Sequence, residues 1–114
     1  MPLLQITTNE PINPAEEADF LASASRTVAE ILNKPEQYVM VSLAHNPHMI
    51  FAGSRDPAAY LELKSIGLPE NRAANFSAAL AGLINRETGI PATRIYIEFT
   101  NAPRQLWGWN GETF

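Results

Sequence analysis

Apolar residues along this chain fall into two alternating patterns: short dense or every-other-residue runs, and longer stretches with an apolar position every three or four residues. The first pattern predicts strands and the second helices. Pro2-Leu3-Leu4-Gln5-Ile6-Thr7-Thr8 reads as a strand rich in apolar and β-branched residues. Asn9-Glu10-Pro11-Ile12-Asn13-Pro14 is a turn cluster. Asn13 is placed to cap a helix, with Pro14 at the first helical position and Glu16 able to reach back. That helix is expected to run to about Leu32, with Phe20, Leu21, Ala24, Val28, Ile31 and Leu32 on one face. Asn33 suits the left-handed C-terminal position and Pro35 stops the helix.

Tyr38 to Leu43 reads as a second strand, and Met49-Ile50-Phe51-Ala52 as a short edge strand beyond the loop 44–48. Gly53 to Pro57 is a turn. Ala58 to Ile66 reads as a third long strand, closed by Gly67 and Pro69. A second helix is expected from Glu70 to Thr88, burying Ala73, Phe76, Leu80, Leu83 and Ile84, with Gly89 and Pro91 ending it. From Arg94 to Thr100 the alternation is strict: Ile95, Ile97 and Phe99 point one way, Tyr96, Glu98 and Thr100 the other. The tail 105–110 is expected to add a short strand.

Strand, helix, strand thus occurs in 2–43 and again in 58–100. Two right-handed βαβ units side by side give an α+β fold: a four-stranded mixed sheet with both helices on one face. The other face, carrying Tyr96 and, by parity, Tyr38 and Met40, has no helix to cover it. An apolar face of that size marks an association surface, so a homo-oligomer packed sheet face to sheet face is expected.

Composition narrows the chemistry. One hundred and fourteen residues suit a single domain spanning 1–114. The net charge of -4 and the scattered basic residues argue against a nucleic-acid surface. There is no cysteine, which removes thiolate catalysis, disulfides and cysteine-held metals. No run approaches a membrane span, and no charged leader with an apolar core opens the chain, so the expected location is cytoplasmic. Export by a route without a signal peptide stays open. His45 and His48 stand three apart in an Asn/Pro-rich stretch with no third ligand, and read as solvated rather than metal-binding.

The candidate for chemistry is the beginning of the chain. Met before a small residue is normally clipped, which would leave Pro2 with a free secondary amine. An α-amino group ionises at roughly 7.7–8.0. Desolvation at the head of a half-buried strand would lower that value, giving a base poised for proton transfer near neutral pH. With Met1 attached, the Pro2 nitrogen is a tertiary amide and cannot act so. The competing reading is that Pro2 merely opens an edge strand.

Met1-Pro2, Thr8-Asn9-Glu10-Pro11, Asn33 to Tyr38, Ser65-Ile66-Gly67, Asn71-Arg72, Arg94 to Ile97, and Gly108-Trp109-Asn110 through Thr113-Phe114, in this order and spacing, resemble the family of macrophage migration inhibitory factor and D-dopachrome tautomerase, within the tautomerase superfamily. The resemblance implies a trimer with active sites between subunits. It implies keto–enol tautomerase activity on phenylpyruvate-like 2-oxo acids with Pro2 as catalytic base and no cofactor. It assigns substrate binding to Lys34, Ile66, Trp109, Tyr38 and Phe114, with Tyr96 contributed by the adjacent subunit. Lys34 would hold the substrate's acid or carbonyl oxygen and depress the amine's pKa. Its competing reading is a solvated charge at a helix end. Tyr96 and Trp109 would form a slot for an aryl ring; core or interface packing is their competing reading, and for Trp107 it fits at least as well.

Four departures carry consequences. Glu98 stands where mammalian members have asparagine, which opposes anionic or hydroxylated rings and would raise the Pro2 pKa if close enough. Lys64 replaces a histidine near the pocket. Ala58 and Leu61 occupy the places of a two-cysteine motif, so thiol–disulfide exchange has no reagent here. Ile12 replaces the basic residue of a chemokine-like motif. A cytokine-like binding protein with a vestigial pocket is the alternative function, and hydration or decarboxylation of a small acid is a third.

Overall fold

The computed structural model describes Met1–Phe114. Strand β1 (Pro2–Thr8) leads into helix α1 (Pro14–Leu32), then β2 (Met40–His45) and β3 (Ala59–Ile66). Helix α2 (Ala73–Thr88) follows, then β4 (Ile95–Ala102) and a terminal hairpin of β5 (Gly108–Trp109) and β6 (Glu112–Thr113). The long strands form one sheet in the order β2-β1-β3-β4. β1 and β2 run parallel, as do β3 and β4, while β1 and β3 are antiparallel at the centre. These are the two βαβ units that the repeat implied, joined through their first strands.

The helix ends follow local chemistry. Asn13 accepts a hydrogen bond from the Ala15 N–H at 2.9 Å, and Pro14 opens α1. Asn33 ends it in the left-handed conformation, φ 52°, and the Lys34 N–H donates back to the Ala29 carbonyl at 3.0 Å. Leu4 and Ile6 of β1 and Leu61 and Leu63 of β3 are buried against Phe20, Ala24 and Val28 of α1 and Phe76, Leu80, Leu83 and Ile84 of α2. Both helices therefore lie on one face. Each large side chain so buried contributes roughly 1.5–3 kcal/mol.

The open face differs from expectation. Register places Met40, Leu3, Lys64 and Thr100 in one row across the sheet, Ser42, Gln5, Glu62 and Glu98 in the next, and Ala44, Thr7, Tyr60 and Tyr96 in the third. That face is mixed, not apolar. Exposed large hydrophobics gather instead at its two ends: Met40 and Trp109 at one, Ile50 and Tyr96 at the other.

Four segments also depart from the expected elements. Tyr38 lies outside the sheet, in a single 3-10 turn over Glu36–Tyr38, because Pro35 donates no N–H and starts a turn before the strand begins. Glu70–Arg72 is likewise a 3-10 turn ahead of α2, again behind a proline. Met49–Ala52 forms no edge strand; Phe51 and Ser54 close a tight loop around Ala52 and Gly53, both at positive φ. His45 ends β2, its ring nitrogen 3.2 Å from the Asn9 carbonyl, and no three metal-binding side chains converge anywhere.

Candidate active site

The end of β1 where the chain starts is the floor of a cleft of about 390 Å³. Its lining includes Met1, Pro2 and Leu3 from β1, Tyr38, Val39 and Met40 from the approach to β2, and Trp107, Trp109 and Phe114 from the terminal hairpin. Such a volume and aromatic wall suit a small ligand. Pro2 is buried. The Trp109 ring stacks on Phe114 at 5.8 Å, and Tyr38 meets it edge-on at 5.9 Å. These geometries are the favoured ones for aromatic rings.

The wall depends on a turn that the strand-like reading of the tail overlooked. Asn110 and Gly111 both have positive φ, 55° and 76°, which makes the two-residue hairpin turn matched to the strands' twist. The Asn-Gly pair was the signal for it. The Phe114 N–H then donates to the Trp107 carbonyl at 3.2 Å, folding the last residue onto Trp109. Trp107, read as packing, lines the cleft as well.

Lys34 and Ile66 do not line this cleft, yet they border the same end of the sheet. Gly67, left-handed at φ 65°, sits beside the lysine, whose ammonium lies 4.0 Å from where a Cβ would stand, an ordinary contact distance. The α-amino group of Met1 is held below its ordinary 8.0, first by partial burial and then by the charge of Lys34. That amine belongs to Met1; removal of Met1 would expose the Pro2 nitrogen one residue deeper, within the buried part of β1. Glu98 contributes nothing to this shift.

Tyr96 is not part of the cleft within one chain. Pro2 pairs with Ser65, which pairs with Asn101, whereas Tyr96 pairs with Tyr60 five positions away. Five residues of strand put them about 16 Å apart. Tyr96 instead contacts Phe51 at 4.5 Å and, with Met49, Ile50, Ala52, Ala59 and Tyr60, lines an apolar hollow of about 520 Å³. Arg94 builds this ledge. Its guanidinium lies 5.0 Å from the centre of the Phe51 ring and donates to the carbonyls of Phe51, Ser54, Asp56 and Pro57 at 2.7 to 3.3 Å.

Beside Tyr96 lies a cluster that sequence reasoning only half anticipated. The Tyr60 hydroxyl is 3.0 Å from carboxylate oxygens of both Glu62 and Glu98. Donating to Glu98, with partial desolvation and Glu62 adding to the effect, pushes its pKa up to about 12. Lys64 reaches only Glu62, at 4.0 Å.

Fold and cleft together define a class: a βαββαβ subunit with a proline buried at the head of its first strand, facing aromatic side chains. The sequence profile described as "Macrophage migration inhibitory factor (MIF)" matches residues 1–114. A homologue from Brugia malayi is 42% identical over 115 residues, covering 100% of this chain and 99% of that protein. The crystal structure of a Prochlorococcus marinus homologue superposes with a TM-score of 0.91 at 43% identity, covering 98% of each chain. The Trichinella spiralis factor gives 0.89 at 39% identity, over 98% of this chain and 99% of that one. The chain belongs to the macrophage migration inhibitory factor family, a branch of the tautomerase superfamily.

Proposed function

We propose that the chain, once Met1 is removed, is a single tautomerase domain that interconverts keto and enol forms of phenylpyruvate-like 2-oxo acids, with Pro2 as the base. The supporting observation is the placement of Pro2: buried, at the floor of an aromatic cleft, at the end of the molecule where Lys34 depresses an amine's pKa.

In the keto-to-enol direction the Pro2 nitrogen removes a proton from the carbon next to the 2-oxo group. The C–H electron pair becomes the C=C bond, and the carbonyl oxygen takes a proton from water. The reverse reaction returns the Pro2 proton to that carbon. Lys34 offsets the charge that builds on the oxygen or holds the acid group, and does so best in a site that excludes water. Tyr38, Trp109 and Phe114 receive the ring.

The working site would be completed by a second copy. A molecule with two different exposed apolar patches, one around Met40 and Trp109 and one around Ile50 and Tyr96, suits head-to-tail contacts, which form a ring when the rotation between copies closes. Three copies, each offering Tyr96 and its ledge to the next copy's cleft, fit this arrangement.

Intact-mass measurement followed by an ultraviolet enol-to-keto assay tests the reading. Processed protein should turn over phenylpyruvate enol, Met1-retaining protein should not, and Pro2→Gly should lose about 100-fold or more in kcat/KM, as expected for a general base. Equal rates in all three would remove Pro2 from the chemistry.

A further inference from the structure

We propose that Asn110-Gly111 is a self-modifying site, where deamidation through a cyclic imide adds an atom to the main chain and takes down the Trp109–Phe114 wall of the cleft. The chemistry stands on the hairpin alone; its effect on turnover rests on the reading above.

Asn110 is the one asparagine that precedes a glycine. Every other asparagine is followed by a residue whose side chain crowds its own nitrogen. The surroundings agree with the sequence. Asn110 and Gly111 are both exposed, at the tip between β5 and β6. A Cβ built on Gly111 meets nothing within 4 Å, so its nitrogen stands in the open. Its N–H donates to no backbone carbonyl. The side chains of Asn9, Asn13, Asn85 and Asn101 are engaged in hydrogen bonds within the chain, and that of Asn110 is not. Ring closure needs Asn110 to leave its left-handed conformation, φ 55°. Little opposes that, because β5 and β6 are two residues each, and so short a ribbon is marginal in water.

The Gly111 nitrogen gives its proton to hydroxide and attacks the Asn110 side-chain carbon. A C–N bond forms there, the side-chain amide C–N bond breaks, and ammonia leaves with a proton from water. Water then opens the five-membered imide at either carbonyl. One opening gives aspartate. The other gives isoaspartate, in which the main chain runs through the former side-chain methylene. Nothing is oxidised or reduced.

A two-residue turn sets the pairing of its strands through the backbone of those two residues. An added methylene breaks that match. The Phe114 N–H then loses the Trp107 carbonyl, 3.2 Å away, and the Phe114 ring loses its stack on Trp109 at 5.8 Å. Trp107, Trp109 and Phe114 all line the cleft. Aspartate adds a charge at the tip but no main-chain atom, so it leaves the wall standing.

The test incubates processed protein in mildly alkaline buffer and follows peptide masses, tryptophan emission, phenylpyruvate binding and enol turnover. A gain of one dalton should appear at Asn110 ahead of every other asparagine, with isoaspartate among the products. Emission should move to longer wavelength, and phenylpyruvate affinity should fall by roughly three- to ten-fold, the worth of one aromatic pair. Isoaspartyl methyltransferase, which returns isoaspartate to aspartate, should restore both. Asn110→Gly keeps a favoured Gly-Gly turn without the reacting group, and its emission should not drift. Asn110→Asp carries the charge alone and should keep the emission of fresh native protein. Should either variant fail to fold, the native protein and its enzymatic repair decide. An Asn110 that stays amidated while other asparagines react overturns the inference. So does isoaspartate at 110 with unshifted emission. Shifted emission in a protein that never turned over the enol keeps the inference and overturns the tautomerase reading. Shifted emission with binding and turnover unchanged keeps the modification and removes Trp109 and Phe114 from the substrate's path.

Discussion

Lys34 illustrates how much one residue's position decides. By composition it is a lysine just past a helix end, a common solvated site. Asn33 changes that by turning left-handed, so the chain doubles back and the ammonium settles over Gly67 near the amine. The Met1 amine's pKa is lowered by burial and by this charge, and the Pro2 amine freed by Met1 removal is expected to feel the same two causes. For a base the sign follows directly: its reactive, neutral form gains as pH rises through a value below the ordinary 8.0. Replacing Lys34 with Gln removes one of the two causes, so the rising limb of kcat/KM against pH should move to higher pH. Lost pairing with the substrate's acid group should also lower kcat/KM by roughly 10-fold or more. A limb that stays in place would show that Lys34 and the amine are uncoupled in the processed protein. Gly67 belongs to the same arrangement, since its positive φ suits the turn that closes β3 beside the lysine.

Among elements, the loop 46–57 and the strand that supports it behave as one unit. Asn9 ties the loop's far end to β1: its side-chain oxygen accepts from the Ala58 N–H at 2.7 Å and its amide donates to Arg55 and Asp56 carbonyls. Arg94, at the head of β4, satisfies four more carbonyls and supports the Phe51 ring. A loop with few backbone partners of its own is thereby made rigid enough to carry Phe51 against Tyr96. Arg94→Ala should lower unfolding free energy in urea by about 2 kcal/mol, the scale for charge-assisted hydrogen bonds lost in part to water. Arg94→Lys should recover little, because an ammonium cannot reproduce the planar fork. An unchanged urea midpoint for Arg94→Ala would make the clamp irrelevant to stability.

At the scale of the whole molecule, the distribution of exposed apolar side chains bears on assembly more than the open sheet face does. That face carries Gln5, Glu62, Lys64, Glu98 and Thr100 and is too polar to drive association by itself. The two apolar ends, around Trp109 and around Tyr96, are where contact would remove most apolar surface from water. Ile50 is 67% exposed in the single chain and stands on no catalytic element, so Ile50→Asp should convert a trimer into monomers in sedimentation at micromolar concentration. Activity should fall with assembly even though the amine is untouched. A native chain that already sediments as a monomer, or an assembled Ile50→Asp, would remove this patch from the interface.

The order of elements, the helix boundaries at Asn13, Asn33 and Gly89, and the two-fold βαβ repeat were legible in the chain because they rest on local periodicity and caps. Pro2, Tyr38, Trp109 and Phe114 could be singled out in advance, and the cleft does bring them together, though Tyr38 arrives from a turn and not from a strand. Other features depended on pairing across long stretches of chain. Tyr60 meets Glu98 because β3 and β4 run parallel in one register, and Phe51 meets Tyr96 because Arg94 holds the loop against β4; no local pattern specifies either. The polarity of the open face emerged only when alternating residues of four strands were set side by side. Local sequence determined what each segment would become; register and packing decided which side chains share a wall, because those contacts join residues that are distant along the chain.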